Sequence, residues 1–467
     1  TAVVIDMVLN HSFGESPFVQ MYMDNWNIIP ENPWYNVDSP NPVYSWGYDF
    51  NHESEATKEL VDSITSFWIN EYKIDGFRLD FTKGFTNTPG EGSGFDMSRI
   101  EILKRMTNEI WKRKSDALVI LEHFTDNKEE TELANYGMLI WGNLNGNYAE
   151  GAMGYTQNTK SDLEWGLYDK RGWTKPGLVT YMESHDEERI TFKSTTYGNS
   201  SGEYNIQDLN VALDRMELNS VFHLPLPGAK MIWQFGELGY DYSINTCENG
   251  SLINNECRTY PKPIRWDFIN NTDRTELFQV MAKMNHLKQN YDEFTPETYS
   301  YDLKSEIKWY KLNGSNNHVV AIGNFDVKQR TTSITFPKIG KWYEFFTRDS
   351  VEIYTLNQSI PLAPGEYRLY STRNFDDPHV ITENKVDLKI TEDIRIYPNP
   401  ASSEINVSAN NEIDEIRIYS LTGELMVKKA NIKSHNLRVN TEEFLSGVYL
   451  IQVYQKSGSS TFKFIVQ

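Results

Sequence analysis

Six short apolar runs punctuate the stretch from Thr1 to about Lys288: Ala2–Leu9, Ile74–Asp80, Ala117–Glu122, Met138–Trp141, Leu178–Glu183 and Lys230–Gln234. Amphipathic segments of helical period lie between or after them, at Ser54–Tyr72, Ser98–Lys112, Ile206–Phe222 and Asp273–Gln289. Ala2–Leu9 and "ALVILE" are nearly continuous in apolar residues, as strands covered on both faces are. Strand-then-helix units without internal hairpins predict a parallel α/β fold.

The pattern changes from about Thr295. "SEIKWYKLNGSNNHVVAIGNF" and "RTTSITFPKIGKWYEFF" alternate apolar and polar residues around turns, which predicts an antiparallel β domain ending near Ser371. The polar stretch 373–389 reads as a linker. A third unit over 390–467 reads as short strands with turns at Asn399-Pro400, Gly423 and Gly447.

Several apolar runs end in polar residues. In "DGFRLDFTKG", Arg78 and Asp80 are two apart and share a strand face, with Phe77, Leu79 and Phe81 opposite. An arginine beside a carboxylate favours its ionised form, as a nucleophile requires, although a structural ion pair at a strand end has the same appearance. "ALVILEHF" ends on Glu122, with little positive charge nearby in sequence. Such a carboxyl group either keeps its proton near neutrality or opens a loop. "VTYMESHDEER" sets His185 beside Asp186, and "IDMVLNH" brings Asp6, Asn10 and His11 to a strand exit. In a closed parallel barrel all strand C-termini meet at one mouth, so carboxylates distant in sequence converge there. One ionised and one protonated carboxyl group across a bond is the requirement for glycoside hydrolysis.

Composition narrows the partners. With 45 basic against 65 acidic residues the net charge is −20, which disfavours nucleic acid and anionic lipid and suits a neutral or cationic ligand. No apolar run is long enough for a membrane span. Aromatic residues are 13% of the chain, and their faces suit sugar rings as well as cores. Cys247 and Cys257 flank a polar loop and read as one local disulfide in a secreted protein, the alternative being two unpaired thiols.

"DMVLNH", "GFRLDFTKG", "LEHF" and "YMESHD" resemble, in order, the four signature regions of glycoside hydrolase family 13, the α-amylase family. The resemblance runs over roughly Thr1–Ser371. It implies an α/β fold, a (β/α)8 TIM barrel followed by an antiparallel β-sandwich, with boundaries at 1–293 and 294–372 and a short inserted segment over 12–51. The first signature region lies on barrel strand 3 in that family. Since the chain also opens inside a strand without Met, strands 3–8 are expected here, with strands 1 and 2 preceding Thr1.

The resemblance implies Asp80 as nucleophile, Glu122 as general acid/base and Asp186 as transition-state stabiliser, in a retaining mechanism on α-1,4-glucans such as starch. Arg78 orients Asp80, while His11, Lys83 and His185 contact the sugar. Asn10 resembles a ligand for Ca²⁺, and no organic cofactor is implied. Trp34, Tyr35, Trp46 and Tyr48 in the insert, together with Trp141, are candidates for lining the cleft. Two positions depart from the family pattern. Gly84 stands where many members have a sugar-binding His, and Ser184 stands where Asn is commoner. The latter raises a transferase reading, and a related transglycosylase, branching enzyme or α-glucosidase is the alternative enzyme. A non-catalytic glucan-binding protein or an inactive truncated fragment is the rival outside enzymes.

"YPNPASSEINV", "IYSLTGELM" and the final strands resemble the C-terminal sorting domain of type IX secretion substrates, over about 390–467. That implies the type IX machinery as a partner and an extracellular or cell-surface location after periplasmic transit.

Overall fold

The structure is a computed structural model that describes residues 1–378, 394–420, 423–456 and 458–466. The chain divides into two units, 1–380 and 381–467. Most of the expected linker, from 379 onward, lies outside the described residues, as does the start of the expected sorting domain.

In the first unit, β1 (Val4–Val8), β2 (Gly76–Asp80), β3 (Leu118–Leu121), β4 (Leu139–Asn143), β5 (Leu178–Tyr181) and β6 (Ala229–Met231) form one parallel sheet in sequence order. Among the described residues β1 and β6 each pair with one neighbour. The sheet is therefore open, and Val3 and Val8 on the β1 side are exposed.

Besides a single turn at Pro17–Gln20, the α-helices among the described residues are α1 (Glu55–Tyr72), α2 (Met97–Arg113), α3 (Asn127–Tyr136), α4 (Asn145–Ala152), α5 (Ile190–Tyr197), α6 (Leu209–Val221) and α7 (Thr272–Asn290). The four long ones match the expected segments within a few residues, because Asp96 and Asn271 cap α2 and α7 by accepting from the Ser98 and Arg274 amides. The shorter α3, α4 and α5 have no sequence-predicted counterpart. For α3 the signal is present: Asp126 caps it, Glu129 follows three residues later and Gly137 ends it. Two small hairpins, 23–24 with 27–28 and 200–201 with 204–205, correct the expectation of no hairpins, and 11–12 pairs antiparallel with 48–49 across the insert. They decorate loops and leave the parallel sheet intact.

Phe77, Leu79, Leu121 and Ile140 on the sheet pack with Leu103, Ile110 and Leu133 of α2 and α3. A second core runs from Leu213, Met216, Leu277 and Met284 on α6 and α7 into Tyr310, Leu312 and Phe325 of the following domain. That domain is a six-stranded antiparallel sheet beside a two-stranded ladder, 330–335 with 357–362, around Val320, Ile322, Phe336, Trp342 and Leu362. Its strand His318–Asn324 approaches α6 closely. A Cβ at Gly323 would stand 2.6 Å from Leu218 and Phe222 side-chain atoms, so a larger residue would force those buried side chains to shift. Fully buried Arg215 fastens the joint by donating to the carbonyls of Ala152, Asn324, Phe325 and Asp326.

Among the described residues the second unit has five antiparallel strands around Ile405, Val407, Ile416, Ile418, Ile451 and Phe464. Its strands are not all short. Glu404–Ser420 and Leu425–Asn440 run 17 and 16 residues, and register shifts within their pairing let one strand serve two sets of neighbours. Gly447 begins a strand rather than forming a turn.

Candidate active site

β1 and β2 pair in register with Asp6 opposite Arg78, so both side chains share one face at adjacent positions. Arg78 is 5% exposed and Nη1 donates to Asp6 Oδ1 at 2.7 Å and to Asp80 Oδ1 at 2.8 Å. Nη2 lies 2.9 Å from Glu122 Oε2 on the next strand's exit, but without the alignment of a hydrogen bond. The expectation of little positive charge near Glu122 is thereby corrected, because the charge comes from the neighbouring strand.

Glu122 Oε2 also accepts from the Phe81 amide at 2.9 Å. Burial raises the Glu122 pKa to about 7. Arg78 and the Phe81 amide oppose the rise, and the negative charges of Asp80 and Asp186 reinforce it. The backbone behind it is fixed. Thr82 donates to the Glu122 carbonyl from both its amide and its hydroxyl, at 2.9 Å each. His123 bonds Thr82 Oγ1 and Glu129, and Arg99 grips Glu129 through Nε and Nη2 while its Nη1 donates to the Lys83 carbonyl.

Asp186 stands beyond β5 with its side chain 54% exposed, and His185 Nε2 lies 3.4 Å from its Oδ2. His185 sits between Trp141 and Trp233, with ring centroids 6.2 and 5.9 Å away. Ser184 is fully buried. Its hydroxyl receives the Asp186 amide and donates to Glu187, so it builds the turn and faces no cleft.

His11 is half-buried beside Phe13 and Trp46. Burial lowers its pKa, and the nearby Asp80 charge opposes the shift. Lys83 Nζ lies 4.4 Å over the Tyr44 ring, and burial lowers its pKa while the charges of Glu91 and Glu122 oppose this. Of the insert's aromatic candidates, Trp46 reaches this region, packing on Tyr44 and Phe81 and staying 48% exposed. Tyr35 is buried in the insert's own core, Trp34 packs on Phe18 and Tyr48 bonds the Trp26 carbonyl. Trp141 is 6% exposed and covers the Arg78 guanidinium at 4.1 Å. It seats the arginine instead of offering a face to a ligand. The sequence placed Asp6 at a strand exit without a partner, and its bond to Arg78 comes from register; Trp233 and Arg258 were not singled out from the sequence, because only loop packing brings them here.

Asn10 is buried 3% exposed with Oδ1 unpaired among the described residues, against the Gly84 backbone. One such oxygen is a fair calcium ligand, but a calcium ion takes about six to eight. Among the described residues no group of three or more acidic, histidine or cysteine side chains is gathered for a metal.

Residues 43–312 match the family model for the alpha amylase catalytic domain. The chain belongs to the α-amylase family. Residues 395–467 match the secretion system C-terminal sorting domain, which directs this amylase-family chain through type IX secretion to the cell surface or beyond. Among the described residues no helix is long and apolar enough to cross a membrane.

A 1,4-alpha-glucan branching enzyme from Salinibacter ruber is 21% identical over 377 residues, covering 74% of this chain and 56% of that enzyme. A malto-oligosyltrehalose trehalohydrolase from Saccharolobus solfataricus is 29% identical over 82 residues, 17% of this chain and 12% of that one. The chain thus spans about half the length of the first relative and far less of the second. The α-amylase of Anoxybacillus superposes with a TM-score of 0.59 at 16% identity, covering 80% of this chain and 76% of that one. The α-amylase of Geobacillus thermoleovorans gives 0.58 at 16% identity, covering 80% and 78%. These likenesses carry the fold, a TIM barrel followed by β structure.

Proposed function

We propose that this α-amylase-family protein hydrolyses α-1,4-glucosidic bonds of starch or maltodextrins with retention of configuration. One observation carries the reading. Of the three carboxyl groups around one guanidinium, Asp6 and Asp80 each take an aligned N–H, while Glu122 is buried with its pKa raised to about 7. Two carboxyl groups on one guanidinium are compatible with the separation of about 5–5.5 Å that a retaining glycosidase uses.

In this reading Asp80 attacks the anomeric carbon while protonated Glu122 gives its proton to the leaving oxygen. Water, deprotonated by Glu122, then displaces Asp80 and restores both groups. Asp186 stabilises the positive charge that develops on the ring, and Arg78 orients Asp80. His11, Lys83 and His185 bond sugar hydroxyls, and Trp46 lines the cleft. A non-catalytic glucan-binding role has no use for carboxyl groups split in this manner.

The branching-enzyme relative supports a second reading, transfer of the glucosyl unit to a sugar hydroxyl instead of water. Both share the first step. Incubation of the full-length protein with soluble starch decides between them. Reducing-end release with an α-anomer product supports hydrolysis, loss of iodine staining without reducing ends supports transfer, and neither activity in a folded protein removes both. Calcium at Asn10 belongs to the same proposal, supported by the buried unpaired Oδ1. A Tm unmoved by chelation would remove it.

A further inference from the structure

Asp186 is the least secured of the three carboxylates. Among the described residues no hydrogen bond reaches its carboxylate, only the ion contacts of His185 at 3.4 Å and Arg258 at 3.6 Å. Arg258 does more for the backbone. Its Nη2 donates to the Asp186 carbonyl at 2.5 Å, across 72 positions of sequence.

Arg258 directly follows Cys257, which is disulfide-bonded to Cys247. The loop so closed is internally tied: Cys247 N donates to Leu252 O, Asn254 N to Asn245 O, and Lys262 Nζ to the carbonyls of Cys257 and Arg258. At its root Ser243 Oγ and the Ile244 amide both donate to Glu188, at 2.7 Å each. The turn that carries Asp186 is therefore held from two sides by one cross-linked loop, by Glu188 at the root and Arg258 at the far side. Between loop and turn lies a cavity of about 350 Å³ lined by His185, Asp186, Trp233, Arg258 and Tyr260.

We propose that Arg258, seated on the Cys247–Cys257 loop, is a positioning residue for Asp186. The exposed charge pair at 3.6 Å is screened by solvent, so the bond to the carbonyl does the positioning. The proposal rests on the glycosidase reading for its kinetic consequence only. A misplacement on the order of 1 Å costs about 10²-fold in rate. Loss of an interaction realised only in the transition state lowers kcat and leaves KM nearly unchanged.

The test uses Arg258→Ala, Arg258→Lys and the double variant Cys247→Ser/Cys257→Ser in the full-length protein, with soluble starch as substrate and hydrogen exchange of the 183–190 segment as a second readout. The expected result is a kcat lowered roughly 10- to 100-fold in Arg258→Ala with KM within about twofold. Partial recovery is expected in Arg258→Lys, whose ammonium still donates to a carbonyl, and exchange across 183–190 should rise in Arg258→Ala and the double variant. If the double variant does not fold, the Arg258 pair decides alone. A raised KM with normal kcat, or unchanged exchange across 183–190, overturns the proposal. A wild-type protein without glucan turnover removes the glycosidase reading, while faster exchange in Arg258→Ala still supports Arg258 as the residue that holds Asp186.

Discussion

Arg78 Nη2 stands 2.9 Å from Glu122 Oε2 without an aligned hydrogen bond, whereas Arg78 Nη1 donates to Asp80 Oδ1 at 2.8 Å. The guanidinium thus gives direction to one carboxyl group and only charge to the other. Burial, the largest influence on Glu122, wins over that charge and raises its pKa to about 7.

The pH dependence follows with a definite sign. In the proposed mechanism the first step needs Glu122 protonated, and its proton is lost as pH rises through about 7. The expected kcat/KM on maltodextrin therefore falls along an alkaline limb centred near that pH. Glu122→Gln lowers kcat by roughly 10²–10⁴-fold and removes the limb. A limb that persists unchanged in Glu122→Gln would assign it to another group.

Asp80→Asn keeps the size and much of the hydrogen bonding of the side chain but not its nucleophilicity. Turnover is expected to be lost by on the order of 10⁴-fold or more, with the circular dichroism and melting profile of the parent. Azide or another small nucleophile added to Asp80→Gly, which leaves room where the carboxylate stood, should partly recover cleavage of an activated glycoside, with inversion at the anomeric carbon. Near-normal unaided turnover would remove Asp80 as nucleophile.

The strands were legible because a strand covered on both faces leaves an apolar run with little else in it, and the carboxyl groups were legible because each sits at the end of such a run. Arg78 and Asp80 share a face by strand period alone. Their companions were not legible, for a physical reason. Asp6 meets Arg78 through inter-strand register, Trp141 covers it from two strands away, and Arg258 reaches Asp186 through a loop whose path only the folded chain fixes. The helices α4 and α5 were hidden by glycine and β-branched residues that lower local propensity, which tertiary packing overrides.

Behind the site, Arg99 and Glu129 are 1% and 0% exposed and joined by paired hydrogen bonds, with His123 on the same carboxylate. Arg99→Ala leaves Glu129 buried without its main partner and frees the Lys83, Gly92 and Gly94 carbonyls. A loss of about 3–5 kcal/mol in urea unfolding is expected, with kcat falling because Thr82 and Glu122 lie on the same network. A stability change under about 1 kcal/mol would show that the network is dispensable.

Glu217, on α6 at the joint with the β domain, is held by the Tyr367 hydroxyl at 2.7 Å, and burial raises its pKa to about 7. In the unfolded chain it titrates near the ordinary glutamate value, about 4.3. A carboxyl group with a raised folded pKa favours the folded state fully below the unfolded pKa. That contribution is lost as pH rises through the folded value, here between about pH 4 and 7. Glu217→Gln is neutral at every pH and accepts the same hydroxyl. The variant should match the wild type in urea midpoint near pH 4 and exceed it near pH 8. Equal midpoints at both pH values would mean that water reaches Glu217 and that burial does not govern its ionisation.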